Sequence, residues 1–142
     1  MPRKILFVCL GNICRSPTAH AVMRYKAAQY AMAVEIESAG TSASHRGEAP
    51  DPRSVREGQA KGYKFNGITS RPVKEQDFAY YDLILAMDKD NLHELTRRCP
   101  PEQQYKLQLF LQYHPDFPAL TEVPDPYYGG SRGFELVLQL IE

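Results

Sequence analysis

A short apolar strand that runs directly into a helix start is the feature that most restricts how this chain can fold. Residues 5–8 are a continuous apolar run, which is typical of a strand buried on both faces of a parallel sheet. Ser16 can cap a helix, and Pro17 suits the first position of one. The loop of residues 10–15 is therefore expected to end at a helix N-terminus, where backbone N–H groups lack partners and can bind an anion.

Strand-like and helix-like patterns alternate along the rest of the chain. This alternation predicts an α/β fold in one domain, residues 1–142, with a four-stranded parallel sheet flanked by helices on both faces. Strands are predicted at residues 5–8, 34–37, 83–87 and 107–110, and helices from Ser16, from Asp51 to Gly62, from Asp88 to before Pro100 and from near Ser131. The proline-rich stretch between the last strand and the last helix is predicted to be a long functional loop.

Two side chains in the first loop have the chemistry to attack a phosphate ester. A helix N-terminus and a nearby arginine both favour the thiolate form of cysteine, so Cys9 is the candidate nucleophile. Arg15, six positions later, carries a planar fork of donors that suits two phosphoryl oxygens at once. Ser16 could donate its hydroxyl to the Cys9 sulfur and so ease its departure from phosphorus.

A thiolate and a phosphate dianion repel each other, so this loop must also supply inward-pointing backbone N–H groups. Gly11 and Asn12 suit the tight turn that would aim them at one point. Phosphate is therefore expected to be bound by the loop as a whole and by the start of the helix, that is by Leu10, Gly11, Asn12, Ile13, Cys14 and Ser16 together with Arg15.

These features resemble the low-molecular-weight protein tyrosine phosphatases, whose signature of Cys, five intervening residues, Arg and Ser is matched by Cys9, Arg15 and Ser16. The resemblance covers nearly the whole chain and includes residues 38–41, 47–53, 70–73, 82–88 and 125–128. It implies a flavodoxin-like fold and hydrolysis of phosphotyrosine, or of small aryl phosphates, through a phosphocysteine intermediate. It also implies phosphotyrosine-containing protein substrates and no cofactor, and it is compatible with a cognate tyrosine kinase as partner.

Asp125 is the candidate general acid for this reaction. It would protonate the departing tyrosine oxygen and later deprotonate the water that hydrolyses the intermediate. A turn carboxylate is an equally good interpretation of its Asp-Pro context, and the resemblance favours the catalytic role. Tyr127 and Tyr128 are expected to line a slot for the phenyl ring, with anchoring of the loop as the alternative.

The chain departs from its relatives at two places near the predicted site. Many relatives carry a large aromatic residue at the position of Ser44, and this chain has no Trp, so a wider cleft with weaker aryl packing is expected. Some relatives place a His before Ser70 that steadies the loop asparagine, and its absence leaves the support of Asn12 open. Three further polar residues are assigned to a solvated surface, with substrate contact as the alternative: His45, Arg46 and Arg53.

The three cysteines are expected to be reduced, because an odd number of cysteines without an export signal argues against a disulfide scaffold. Cys14 could be a small packed residue or a resolving thiol that traps oxidised Cys9 as a reversible disulfide. Cys99 is assigned a structural role. Asp88 is expected to cap a helix, and the resemblance implies that it supports the phosphate loop.

Charge and composition exclude several other classes of protein. Seventeen basic and seventeen acidic side chains cancel, which disfavours nucleic acid and membrane surfaces as partners. The first apolar run is too short for a signal peptide or a membrane span, so a cytoplasmic protein is expected. A monomer or a weak dimer is also expected. The four scattered histidines and the lack of a Cys-x-x-Cys pair predict no metal site.

Three rival functions stay open. A thiol-linked arsenate reductase resembles the same fold and loop, but those enzymes need further redox cysteines after the third strand, where this chain has Ala86-Met87-Asp88. A non-catalytic phosphotyrosine-binding module, or a phosphocarrier, would use the same loop without turnover. A candidate leaving-group acid disfavours the binding module, because pure capture has no use for one.

Overall fold

The computed structural model describes residues 4–110 together with residues 123 and 141. In chain order the elements are β1 (Lys4–Cys9), α1 (Arg15–Gln29), β2 (Glu35–Gly40), α2 (Pro52–Ala60), α3 (Glu75–Tyr80), β3 (Leu83–Ala86), α4 (Lys89–Arg98), a 3₁₀ helix (Pro101–Lys106) and β4 (Leu107–Leu109). The predicted last helix and most of the proline-rich stretch lie outside the described residues. No helix in the described ranges is long and apolar enough to cross a membrane.

The predicted fold class is confirmed. The sheet has four parallel strands in the order β2-β1-β3-β4, and helices cover both of its faces. Alternate residues of β1 divide between the two cores, since Ile5 and Phe7 pack with α1 and Leu6 and Val8 pack with α3 and α4. An uninterrupted apolar run is what a central strand buried on both faces requires.

The strand register brings distant parts of the sequence to the carboxyl end of β1. Cys9 is paired with Gly40 at the end of β2, and Val8 is paired with Ala86 at the end of β3. The loops that follow these three strands therefore meet at one edge of the sheet, which is where open α/β sheets bind ligands.

Helix starts were predicted well where an aspartate marks them. The Asp51 side chain accepts the backbone N–H of Arg53 at 2.9 Å, and that of Asp88 accepts the N–H of Asn91 at 2.7 Å. Strand limits differ from the predicted ones by only one residue, except that β2 continues to Gly40, three residues beyond its predicted end. Two six-residue elements, α3 and the 3₁₀ helix, were missed, because segments this short carry little periodicity.

The predicted cap of α1 is wrong. Cys14 is the N-cap, so Ser16 and Pro17 occupy the second and third helical positions. The physical reason is that the Ser16 hydroxyl is already used: it lies 3.0 Å from Cys9 Sγ and accepts the side-chain amide of Asn12 at 2.7 Å.

Acid is expected to destabilise this fold through His20, which α1 buries against β2. Its side chain is 6% exposed, and its Nδ1 lies 3.0 Å from Ser38 Oγ. Burial, followed by the positive charge of Arg24, lowers the pKa of His20 from 6.5 to about 4. Between these pH values the unfolded chain binds more protons than the folded chain. The contribution of His20 to the free energy of unfolding is therefore complete above pH 6.5 and is lost as the pH falls toward 4, by about 3 kcal/mol at most.

Urea unfolding between about pH 7 and about pH 4.5 tests this expectation. His20→Gln should flatten the pH dependence while keeping a hydrogen-bonding group beside Ser38. His93→Gln is the matched control, because His93 lies on an exposed position of α4 and should leave the slope unchanged. Equal slopes for the wild type and His20→Gln would contradict the assignment.

Candidate active site

The loop between β1 and α1 is packed tightly against the end of β2. Two backbone N–H groups hold it, since Thr41 donates to the Cys9 carbonyl and Ser42 donates to the Leu10 carbonyl, both at 2.9 Å. Gly40 faces this loop at close range. A Cβ at Gly40 would lie 2.7 Å from the Leu10 carbonyl oxygen and 3.2 Å from the Asn12 nitrogen, so only glycine fits there. The end of β2 and the two residues after it therefore fix the conformation of the loop.

The Cys9 thiol is 2% exposed and contacts two hydrogen-bonding groups. Its Sγ is 3.0 Å from Ser16 Oγ, and the backbone N–H of Asn12 donates to it at 3.3 Å. Asn12 adopts a left-handed conformation, with φ of 55°, which turns its N–H into the loop. Donors aimed at a sulfur atom stabilise negative charge on it.

Asn12 and Ser16 form a relay behind the sulfur, and both are fully buried. The Asn12 amide donates to Ser16 Oγ at 2.7 Å, which leaves the serine hydrogen available for Cys9 Sγ. The competing acceptor, the Ala39 carbonyl, is more distant at 3.4 Å. The relay therefore orients the serine hydroxyl toward the thiol.

Arg15 is the first residue of α1 and is 2% exposed. Its Nη1 donates to Asp88 Oδ2 at 2.6 Å and to the Val123 carbonyl at 2.9 Å. Because Asp88 also accepts the N–H of Asn91 at its other oxygen, one carboxylate both caps α4 and holds the arginine. This combines the two roles that the sequence assigned to Asp88. The two contacts at Nη1 fix the plane of the guanidinium.

The support of Asn12, which the sequence left open, comes from residues 70 and 71. The Arg71 backbone N–H donates to Asn12 Oδ1 at 3.0 Å, and the Ser70 hydroxyl donates to the Gly11 carbonyl at 2.9 Å. Sequence reasoning used these residues only for the family resemblance. A backbone donor has no side-chain signature, so nothing in the sequence pointed to Arg71 as the partner of Asn12.

His45 lies only partly in solvent, because its ring also packs against the loop. A Cβ at Gly11 would lie 2.8 Å from His45 Cδ2, and His45 Nδ1 lies 3.0 Å from Glu48 Oε2. Ser44 is exposed beside it, with its hydroxyl accepting from Ser42 at 2.9 Å. This side of the loop therefore carries an imidazole and a small hydroxyl.

The remaining loop residues are divided between surface and core. Leu10 is 51% exposed, whereas Ile13 and Cys14 are buried and pack on each other. The Cys14 carbonyl accepts the N–H and the hydroxyl of Thr18, at 3.2 and 2.7 Å. Cys14 thus occupies a packed helix cap, and its role as a resolving thiol stays a prediction.

None of the three cysteines forms a disulfide, and Cys99 lies in a different setting from Cys9. It is the C-cap residue of α4 and its thiol donates to the Pro100 carbonyl at 3.5 Å. Burial raises the pKa of Cys99, which disfavours its thiolate. The described residues contain no group of three or more His, Cys, Asp or Glu side chains arranged to hold a metal ion.

Three predicted site residues, Asp125, Tyr127 and Tyr128, lie outside the described part of the chain. Val123, two positions before Asp125, is described and fully buried. Its N–H donates to the Met87 carbonyl at 2.7 Å, while its own carbonyl accepts from Arg15. The chain that leads to Asp125 is therefore attached to the arginine of the loop, a contact that sequence reasoning did not predict.

An aromatic ring introduced at position 44 is expected to strengthen the binding of aryl phosphates. In Ser44→Trp the KM for p-nitrophenyl phosphate should fall by about two- to tenfold, because aromatic pairs contribute about 0.5 to 1.5 kcal/mol beyond buried area. Steady-state kinetics measure this change. Inhibition by inorganic phosphate, which has no ring to stack, should be unchanged, and unaltered aryl phosphate kinetics would argue against a substrate wall at this position.

Comparison with known proteins identifies relatives that match over almost the entire length. Residues 4–142 match the sequence family described as "Low molecular weight phosphotyrosine protein phosphatase". The low molecular weight phosphotyrosine protein phosphatase of Schizosaccharomyces pombe is 43% identical over 148 residues, covering 98% of this chain and 90% of the relative. A crystal structure of a protein tyrosine phosphatase from Entamoeba histolytica superimposes with a TM-score of 0.93 at 44% identity, covering 98% of this chain and 89% of that one.

Proposed function

The chain belongs to the low molecular weight phosphotyrosine protein phosphatase family, and we propose on that basis that it hydrolyses phosphotyrosine in proteins, and small aryl phosphates, through a phosphocysteine intermediate on Cys9. The observation that carries the proposal is the pairing of two groups on one loop. A buried thiol with two hydrogen-bonding partners lies six residues before a buried arginine whose orientation is fixed by Asp88.

In the first step, Cys9 Sγ attacks phosphorus, and the bond between phosphorus and the tyrosine oxygen breaks. Asp125 donates a proton to that oxygen, so tyrosine leaves as the neutral phenol. Arg15 and the backbone N–H groups of the loop bind the equatorial phosphoryl oxygens as charge spreads over them. The rigid packing of the loop on Gly40 means that these donors need no rearrangement when charge develops.

In the second step, water attacks the phosphocysteine, and the bond between sulfur and phosphorus breaks. Asp125, now ionised, takes a proton from the water, and inorganic phosphate is released. Cys9 leaves as a thiolate, with the electron pair of the broken bond on sulfur. The Ser16 hydroxyl and the Asn12 N–H are positioned to stabilise that charge.

The assignment of the acid to Asp125 is supported by the contact between Val123 and Arg15. The Val123 carbonyl lies 2.9 Å from the guanidinium that would hold the phosphoryl group. A residue two positions further along the chain can lie at most about 7 Å away in Cα position, which is within reach of the leaving oxygen for a carboxylate side chain.

Leaving-group dependence tests the role of Asp125. Asp125→Asn should lower kcat/KM for phenyl phosphate, which has a basic leaving oxygen, by about 100- to 10,000-fold. The loss for p-nitrophenyl phosphate should be smaller, because p-nitrophenolate leaves without protonation. Asp116→Asn is the matched control, since it changes another carboxylate in the same proline-rich stretch and should affect neither substrate.

Rapid-quench measurement on the wild type, in chelator and reductant, should show a burst of p-nitrophenol equal to the enzyme concentration. A burst followed by slower turnover is the kinetic sign of a covalent intermediate. No turnover by the wild type would remove the proposal. Equal losses for both substrates in Asp125→Asn would move the acid to another residue.

The environment of Cys99 disfavours an arsenate reductase. Thiol-linked reduction needs a second accessible, acidic thiol, whereas Cys99 is 5% exposed and burial raises its pKa. Within the described segment that follows β3, Met87 and Asp88 occupy the positions where a redox cysteine would be needed.

A further inference from the structure

We infer that the ion pair between Arg71 and Asp77 is a positioning device for the thiol of Cys9. It would act at a distance, by holding the backbone N–H that fixes Asn12. The inference rests on the proposed function, because it concerns the same nucleophile, and it adds to the site a pair of residues that touch neither the thiol nor the loop with their side chains.

Three consecutive hydrogen bonds connect Arg71 to the thiol. The Arg71 N–H donates to Asn12 Oδ1 at 3.0 Å, the Asn12 amide donates to Ser16 Oγ at 2.7 Å, and Ser16 Oγ lies 3.0 Å from Cys9 Sγ. Asn12 must be held by its side chain, because a non-glycine residue at a φ of 55° is in a sparsely populated conformation. The position of the Arg71 backbone therefore affects the last hydrogen bond of the relay.

Backbone hydrogen bonds on two sides hold the segment around Arg71. Residues 71–73 pair with the end of β2 through a single bridge, in which the Gly40 N–H donates to the Arg71 carbonyl and the Val73 N–H donates to the Gly40 carbonyl, both at 2.8 Å. Ser70 pairs with residues 47 and 48, again at 2.8 Å. The segment from 61 to 74 contains no helix or extended strand, so beyond these bonds the position of Arg71 depends on its side-chain contact.

The Arg71 side chain provides that contact. It reaches Asp77 with two hydrogen bonds, 2.9 Å from Nη1 to Oδ2 and 3.2 Å from Nη2 to Oδ1. Tyr81, which is 4% exposed, lies near the same guanidinium. A bidentate pair between two planar groups restricts orientation as well as distance. The guanidinium is therefore held firmly, and the backbone of Arg71 with it.

The Asp77 side chain is itself held in place by burial and by a hydrogen bond. It is 7% exposed, it accepts the Lys74 N–H at 2.8 Å at the start of α3, and its neighbour Phe78 lies in the core beneath the sheet at 2% exposure. The ion pair thus connects the core-packed helix α3 to the phosphate loop through Arg71.

Every Arg71 variant keeps the backbone N–H that donates to Asn12. The test therefore distinguishes the position of that N–H from its presence. Arg71→Gln removes the ion pair, and Arg71→Lys retains its charge with a single donor group. Asp77→Asn removes the charge from the other side and keeps an oxygen for the Lys74 N–H. Arg97→Gln is the matched control, because it breaks another bidentate pair, with Glu94 on the exposed face of α4.

The first readout is the rate of Cys9 alkylation by iodoacetamide near pH 6, followed by mass spectrometry of the Cys9 peptide. Arg71→Gln and Asp77→Asn should each slow this rate by about tenfold, the effect of weakening one hydrogen bond to a charged sulfur. Arg71→Lys should recover only part of the rate, because an ammonium cannot reproduce the bidentate pair, and Arg97→Gln should match the wild type. The second readout is the burst, in which hydrolysis of the phosphocysteine should slow more than its formation while KM changes little.

A merely structural role predicts a different result. If Arg71→Gln and Asp77→Asn lower the melting temperature but leave the alkylation rate and the ratio of burst to turnover unchanged, the inference is overturned. If the wild type shows no turnover, the proposed function fails instead. The alkylation rates need no turnover, so in that case they still decide whether the ion pair acts on the thiol.

Discussion

A Cys9→Ser variant is expected to bind phosphate and yet to lose turnover of aryl phosphates by about 10,000-fold or more. A serine hydroxyl is far more basic than a thiol once ionised, so the two partners of Cys9 Sγ, the Ser16 hydroxyl and the Asn12 N–H, cannot generate the nucleophile from it. The change in volume is small and the site is buried, so the fold should be retained. The burst of p-nitrophenol should disappear with the turnover.

Calorimetric titration with inorganic phosphate or vanadate, together with a thermal melt, distinguishes this outcome from misfolding. The matched control is Cys99→Ser, which replaces a buried thiol at the end of α4 and should keep full activity. Residual turnover above about one per cent in Cys9→Ser would contradict the assignment, because removing a nucleophile normally costs far more than that.

The core of the site could be predicted from sequence because it is continuous in sequence. Cys9, Arg15 and Ser16 lie within one strand, loop and helix start. The spacing of these residue types predicts both the fold and the proposed chemistry. The one local error, the cap of α1, has a tertiary cause. Capping rules assume that a serine hydroxyl is available to the backbone, and here Cys9 and Asn12 use it.

The supports of the site could not be predicted, because they cross long stretches of chain and use backbone atoms. Asn12 is held by the N–H of a residue 59 positions later, and Arg15 is held by a carbonyl 108 positions later. Any residue type can supply such groups, so no motif marks them. The packing of His45 on the loop was missed for a related reason. Its ring lies against Gly11, and only the missing Cβ of glycine makes room for it.

Arg15→Lys is expected to lower kcat/KM for p-nitrophenyl phosphate by about 100- to 1,000-fold, the usual cost of losing one preorganised donor to a developing negative charge. The ammonium of lysine can still pair with Asp88, so the buried carboxylate keeps a partner and the protein should stay folded. A point charge cannot reproduce the planar fork, however, and the binding of inorganic phosphate should weaken in parallel.

Asp88→Asn tests the orientation of the Arg15 guanidinium separately from its planar set of donors. Asparagine has one acceptor oxygen where Asp88 uses two, so an amide oxygen that accepts from Nη1 leaves the Asn91 N–H without its cap. The Val123 carbonyl still holds the same nitrogen, so the guanidinium should keep its plane with a weaker anchor. We expect a loss of about tenfold, corresponding to one charge-assisted hydrogen bond made neutral. If Asp88→Asn is as damaging as Arg15→Lys, orientation dominates over direct contact, and if Arg15→Lys stays within tenfold of the wild type, Arg15 is not the phosphate ligand. The contrast between the two variants therefore measures how much of the catalytic power of this loop resides in the fork and how much in the carboxylate that aims it.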